Sequence, residues 1–298
     1  MFVSEPLNPA FEMRLPTLTQ ARAPLTTTVR VTNELGEERD LAIPAERDLT
    51  VYVDKRELVT LMTLGAHPEW LVLGYLRNQR LVDSVADIES ITVDWDVGAA
   101  SVKTRSGIDA IEERTAKKVV TTGCGQGSVF GGLMDEIDAI ALSPEAQLRQ
   151  TDLYEVVKAI REQESTYKNA GSVHGCALFR GPEMLIFVED VGRHNAVDTI
   201  AGWMWTQNPA DMQGDDKVFY TTGRLTSEMV IKSAQMGVPV VVSRSGMTQM
   251  GLEVAQRVGL CAIGRATNQR FLCFSHPERL VRDAVVKVAP ALPPELPA

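Results

Sequence analysis

One cysteine stands among three glycines in Thr121-Thr122-Gly123-Cys124-Gly125-Gln126-Gly127-Ser128. Glycine opens positive φ to the backbone and lets a bulky partner come close to the main chain. A thiol at such a loop tip can take up a sulfur atom and hand it on, provided some of it is thiolate. Cys176, Cys261 and Cys273 lie instead in apolar runs, where a thiol packs as a small hydrophobe. Cys124 is therefore the candidate catalytic residue.

A second chemistry is spread over five short segments: Gly171-Ser172-Val173-His174, Asp190-Val191-Gly192-Arg193-His194-Asn195, Gly223-Arg224-Leu225-Thr226-Ser227-Glu228, Ser243-Arg244-Ser245-Gly246 and Gly264-Arg265-Ala266-Thr267-Asn268-Gln269-Arg270. Each joins glycine to arginine or histidine and to hydroxyl or amide groups. Guanidinium forks match phosphate oxygens. Ser227 opens an expected helix, whose free N–H groups and dipole favour an anion. Hydroxyl and amide side chains can read a ribose or a purine edge. The set points to a phosphate-bearing ligand held by Arg224, Ser227, Arg244 and the 265–270 segment. His174 and His194 belong to the same segments, each as a ligand, a general base or the cap of a turn.

Negative motifs narrow the field. A zinc deaminase needs H-x-E or C-x-E with P-C-x-x-C; neither occurs, so no metal is expected. No Walker loop, nucleophile elbow or dinucleotide fingerprint is present.

These segments must be carried by elements. Strands are expected at 26–33 and 38–43 around a turn at Glu34-Leu35-Gly36-Glu37, at 51–53, 88–95 and 101–104, with helical spacing at 58–64 and 69–79. Residues 1–20 read as an aperiodic arm. Thr151 is a good N-cap for a helix over 152–167. From there strands (176–179, 184–188, 217–221, 238–243, 260–263, 270–274) alternate with helices (195–205, 227–236, 249–258). That alternation means a three-layer α/β domain at 146–298 behind a smaller α+β domain at 1–145. Ligands gather at strand ends in such sheets, where the five segments fall.

The whole chain sets outer bounds. Its 298 residues suffice for a full core without staples. Four cysteines without paired spacing argue against a disulfide framework and for a reducing cytoplasm. No apolar run spans a membrane and no secretory signal opens the chain. A net charge of -9 excludes broad binding of nucleic acid, so an anion must be held by a local arginine cluster.

From about residue 25 onward the chain resembles the FdhD family of formate dehydrogenase accessory sulfurtransferases. The resemblance rests on Gly171-Ser172-Val173-His174, Asp190-Val191-Gly192-Arg193-His194-Asn195-Ala196-Val197-Asp198, Gly223-Arg224-Leu225-Thr226-Ser227-Glu228-Met229, Arg270-Phe271, and His276-Pro277-Glu278-Arg279. It implies a cytidine-deaminase-like C-terminal domain lacking zinc. It also implies that a cysteine desulfurase loads a persulfide on Cys124. That sulfur goes to Mo-bis(molybdopterin guanine dinucleotide) before the cofactor enters the formate dehydrogenase catalytic subunit. The family's cofactor segment falls on Arg265-Ala266-Thr267-Asn268-Gln269-Arg270, and its members pair as homodimers. The family loop reads C-x-x-C, whereas this chain has Gly127 at the second position. The alternative is a chaperone that holds the cofactor without transferring sulfur.

Overall fold

The computed structural model of the chain describes residues 14–108, 137–207 and 213–284. The chain opens with β1 (Thr17–Leu18), the hairpin β2 (Thr26–Thr32) and β3 (Glu38–Pro44), then β4 (Arg47–Val53), β5 (Arg56–Thr63), helix α1 (Pro68–Asn78), β6 (Ile88–Asp94) and β7 (Ala99–Thr104). Strands β1-β6-β7-β4-β5 form one sheet in that order. In β4, Leu49, Val51 and Val53 alternate inward, the period of a strand with one buried face. They meet α1, whose Leu71, Val72, Leu73, Tyr75 and Leu76 are all buried.

Two expectations fail in this half. Residues 58–63 are strand, not helix, and Leu64 follows the strand. A bulge opposite Val51 and Tyr52 shifts the register, so Leu58 and Leu61 are both buried although three residues apart. That shift imitates helical spacing. The expected arm is also partly anchored: β1 pairs with β6, and Glu69 Oε1 accepts from Thr19 Oγ1 and Ala21 N, both at 2.6 Å.

The second half runs β8 (Leu148–Arg149), α2 (Gln150–Glu162), α3 (Thr166–Ala170), β9 (His174–Arg180), β10 (Glu183–Asp190), α4 (Arg193–Trp205), β11 (Lys217–Thr221), α5 (Ser227–Gln235), β12 (Val240–Ser243), α6 (Gln249–Val258), β13 (Cys261–Thr267), β14 (Arg270–Ser275) and β15 (Leu280–Val281). The expected helix at 152–167 is thus two helices. Ser165 caps the second, accepting from Lys168 N. Thr151 caps nothing: its N–H and hydroxyl both donate to Asp283, brought back by the pairing of β15 with β8.

Six strands form the second sheet in the order β10-β9-β11-β12-β13-β14. Strands β11, β12 and β13 are parallel neighbours; the outer pairs are antiparallel. One face sends Leu178, Phe219, Val241 and Ala262 against α4, α5 and α6. The other sends Phe179, Tyr220, Val242 and Ile263 toward Leu153 and Val156 of α2. With both faces covered, β12 is buried at every residue. His276-Pro277-Glu278-Arg279 serves this frame. The Arg279 guanidinium donates to Gly259, Ser143 and Ala146 carbonyls, tying the end of α6 to the connector before β8. Among the described residues no helix is long and apolar enough to cross a membrane.

The halves meet where α1 crosses α4 at two glycines. A Cβ on Gly74 would lie 1.6 Å from the Asp198 carbonyl oxygen, and one on Gly202 would lie 1.9 Å from that of Trp70. Backbone-to-backbone approach this close requires residues without side chains.

Candidate functional site

Asp190 ends β10 and works as a four-way acceptor. Its Oδ2 accepts from Thr63 Oγ1 at 2.5 Å and Leu64 N at 3.1 Å; its Oδ1 accepts from Gly192 N at 3.1 Å and Asn195 Nδ2 at 2.8 Å. Asn195 Nδ2 also reaches the Met62 carbonyl at 2.6 Å. The start of α4 is thereby pinned to the end of β5 in the other sheet. Burial pushes the Asp190 carboxyl above the usual carboxylate range, and those hydrogen bonds pull against it.

One turn further along α4, Asp198 accepts from Asn78 Nδ2 at 2.7 Å and from Lys232 Nζ at 2.8 Å. Lys232 also lies 3.6 Å from Glu228, and Glu228 lies 3.5 Å from His194 Nε2. His194 is 2 % exposed. Burial first, then the charges of Lys232 and Arg193, hold its imidazole down at about 2, so it is neutral at pH 7. It does not stand on the ligand-facing edge where sequence placed it. It is a core group, because α4 turns its second residue inward against α5.

The remaining segments converge. Register aligns Thr221 with Cys176 and Ser243, and Val242 with Ile263, so the segments beside them share one edge of the sheet. Hydrogen bonds knit them: Arg244 N to Thr221 O, Ser243 Oγ to Gly223 O, Leu225 N to Gly246 O, and Arg265 N to Ser245 O. Arg224, Arg244, Arg265 and Arg270 are exposed there, and no hydrogen bond or ion pair joins their side chains to another described residue. Across four adjacent strands, from β11 to β14, this cationic rim is roughly 15 Å wide. Ser227 is the first residue of α5, whose N-cap Thr226 makes no side-chain capping bond, which leaves N–H groups for a ligand. Arg193 lies over Gly223, where a Cβ would meet its Cδ at 2.9 Å. Burial, and then Arg193, lower the His174 pKa, which makes His174 a neutral hydrogen-bonding group at this edge.

The 265–270 segment divides. Ala266 is buried and offers only its backbone, while Thr267, Asn268, Gln269 and Arg270 line a cleft of about 620 Å³. The opposite wall is α2, through Tyr154, Lys158 and Arg161, and Arg161 Nη1 donates to Asn268 Oδ1 at 3.2 Å. Sequence placed that helix but not this contact. Its only trace was two cations three residues apart on one face. Cys124 lies outside the described residues. Among those described, no group of three or more His, Cys, Asp or Glu side chains is placed to hold a metal ion.

Comparison with known proteins matches the profile of the FdhD/NarQ family over residues 44–281. The chain belongs to this family. It is 30% identical to the sulfur carrier protein FdhD of Bacillus subtilis (strain 168) over 253 residues, covering 83% of this chain and 93% of that one. Against the sulfur carrier protein FdhD of Geobacillus kaustophilus the identity is 29% over 245 residues, 82% of this chain and 91% of the relative. A solved structure from Desulfotalea psychrophila, assigned as a formate dehydrogenase accessory protein, superposes with a TM-score of 0.70 at 25% identity, over 87% of this chain and all of that one. Within the 190–198 motif of this FdhD/NarQ chain, Asp190 and Asn195 clamp the start of α4 to the end of β5, and Asp198 ties α4 to α1 and α5.

Proposed function

We propose that this FdhD/NarQ chain carries persulfide sulfur on Cys124 from a cysteine desulfurase to Mo-bis(molybdopterin guanine dinucleotide), before that cofactor enters a formate dehydrogenase catalytic subunit. The observation that carries the reading is the alignment of four exposed arginines on one sheet edge. Two guanine dinucleotides, each with one pyrophosphate, need such a rim. Guanidinium forks take phosphate oxygens in pairs, and the open start of α5 adds N–H donors. The relatives named sulfur carrier proteins support the sulfur half of the reading.

In the loading step the Cys124 thiolate attacks the outer sulfur of the donor persulfide. A new S–S bond forms on Cys124, the donor's own S–S bond breaks, and the donor cysteine leaves as thiolate. The outer sulfur then passes to the bound cofactor, the substrate of the transfer: the S–S bond on Cys124 breaks, Cys124 is released as thiolate, and the substrate supplies the two electrons that take the sulfur to sulfide. Within this reading the chain is a cytoplasmic homodimer, residues 1–145 and 146–298 are two domains, and the second is cytidine-deaminase-like in its layering. His174 hydrogen-bonds the ligand, and His194 supports α4 and α5 from within.

Mass spectrometry after incubation with a desulfurase and cysteine tests the transfer. The wild type is expected to gain one sulfur atom on Cys124. Cys124→Ala is expected to gain none and to leave formate dehydrogenase inactive. Full activation by Cys124→Ala would leave cofactor holding as the function, the reading that Gly127 in place of a second cysteine favours. The rim is tested separately with guanosine diphosphate by calorimetry: Arg224→Ala or Arg270→Ala should each weaken binding about tenfold or more, the worth of one charged hydrogen bond.

A further inference from the structure

Two of the remaining cysteines meet. Cys261 opens β13, Cys273 lies in β14, and their sulfurs are 3.8 Å apart. Register pairs Ile263 with Cys273, and Ala262 with Ser275 beyond a bulge. Cys261 and Ile263 are two residues apart on one strand and share a face. The two thiols are therefore diagonal neighbours on the face that packs toward α2. Diagonal neighbours stand about 7–8 Å apart, just beyond the span of an unstrained disulfide, so closing the 3.8 Å gap between the sulfurs takes a small backbone shift at the bulge that already interrupts this ladder. Cys261 is fully buried, while Cys273 is partly exposed.

The pair is chemically unequal. The hydrogen bond from Cys261 holds the Cys273 thiol down at about 7, and the same contact with burial pushes Cys261 up. Cys273 is the group with thiolate at neutral pH, and Cys261 keeps its proton. Cys176 offers a contrast inside the same sheet. It is buried beside Thr221 at 3.3 Å, and burial pushes its thiol up to about 12.

We propose that Cys261 and Cys273 form an oxidation site that closes to a disulfide when a two-electron oxidant of the hydroperoxide class reaches Cys273. The Cys273 sulfur attacks the peroxide. An S–O bond forms, the O–O bond breaks, and the other oxygen leaves as an alcohol or water. The Cys261 sulfur then attacks the resulting sulfenic acid. The S–S bond forms, the S–O bond breaks, and hydroxide leaves with the Cys261 proton as water. Two thiols have lost two electrons and two protons to one peroxide. The bond ties β13 to β14, whose turn carries Asn268 and Gln269 and whose second strand opens with Arg270 at the cleft. Nothing in this step depends on Cys124.

The full-length chain is treated with hydrogen peroxide, free thiols are alkylated, and the tryptic digest is mapped by mass spectrometry. Cleavage at Arg257, Arg265, Arg270 and Arg279 places the two sulfurs on separate peptides, 258–265 and 271–279. The expected product is these peptides joined and released by dithiothreitol. In Cys261→Ser, dimedone should label Cys273; in Cys273→Ser, Cys261 should stay a thiol. The proposal is overturned if wild-type Cys273 gains dimedone or sulfinic acid while the linked peptide is absent, or if both thiols survive peroxide that oxidises Cys124. The wild-type map decides the matter even if a serine variant fails to fold.

Discussion

The buried charges around α4 set how stability responds to acid. His194 is neutral when folded, held at about 2, whereas an unfolded imidazole titrates near 6.5. Between those values the unfolded chain binds the extra proton, so stability rises with pH and is lost as pH falls below about 6.5. His194 alone should remove about 1.4 kcal/mol between pH 7.5 and 5.5, since one unit of proton binding is gained by the unfolded state only. Urea unfolding at the two pH values checks this, with His194→Gln expected to show a shallower pH dependence than the wild type. Lys232 answers a different test. It and Asp198 are both fully buried and paired. Lys232→Met leaves the Asp198 carboxylate in the core without a cation, held only by Asn78, and should cost about 3–5 kcal/mol. Adding Asp198→Asn should recover part of that loss.

Among the elements, the α1–α4 crossing is the most exacting. Gly202→Ala would press a methyl group onto the Trp70 carbonyl. The helices would have to part, at a cost of about 3 kcal/mol measured by denaturant unfolding. Gly246 is a control of the same type at the ligand edge: nothing lies within 4 Å of its added Cβ, and φ there is not positive. Gly246→Ala should leave stability within about 0.5 kcal/mol of the wild type.

Considered as one body, the chain depends on Asp190 to hold its two sheets in register with each other. Replacing that carboxylate takes an acceptor from Thr63 Oγ1, Leu64 N, Gly192 N and Asn195 Nδ2 at once. Asp190→Ala should cost about 3 kcal/mol, because several buried donors lose an acceptor together while Asn195 keeps the Met62 carbonyl. Hydrogen exchange should show loss of protection at the Leu64 and Gly192 amides. If those amides stay protected, the joint is held by the helix crossing and not by Asp190. The arginine rim is also a property of the whole: a chain of net charge -9 attracts a polyanion only where its cations are gathered.

Sequence alone determined the alternation after residue 170 and the segments that share one edge of the second sheet. These are local or periodic properties, and parallel strands leave their connecting loops at predictable ends. It also reached the family, because motifs such as 190–198 are contiguous in the chain. Which partners those motifs take was decided in three dimensions. Asp190 reads as a ligand-edge residue until Thr63, 127 residues away, is seen to bind it. His194 reads as a ligand, a general base or a cap until it is seen buried against Glu228, which in turn meets Lys232. Leu58 and Leu61 read as a helix because a bulge breaks the strand period. The α2 wall of the cleft and the Cys261–Cys273 contact join residues whose spacing carries no common period. Only packing decided them: burial and partnership are set by which surfaces meet, and a linear pattern records a residue's neighbours along the chain, not across it.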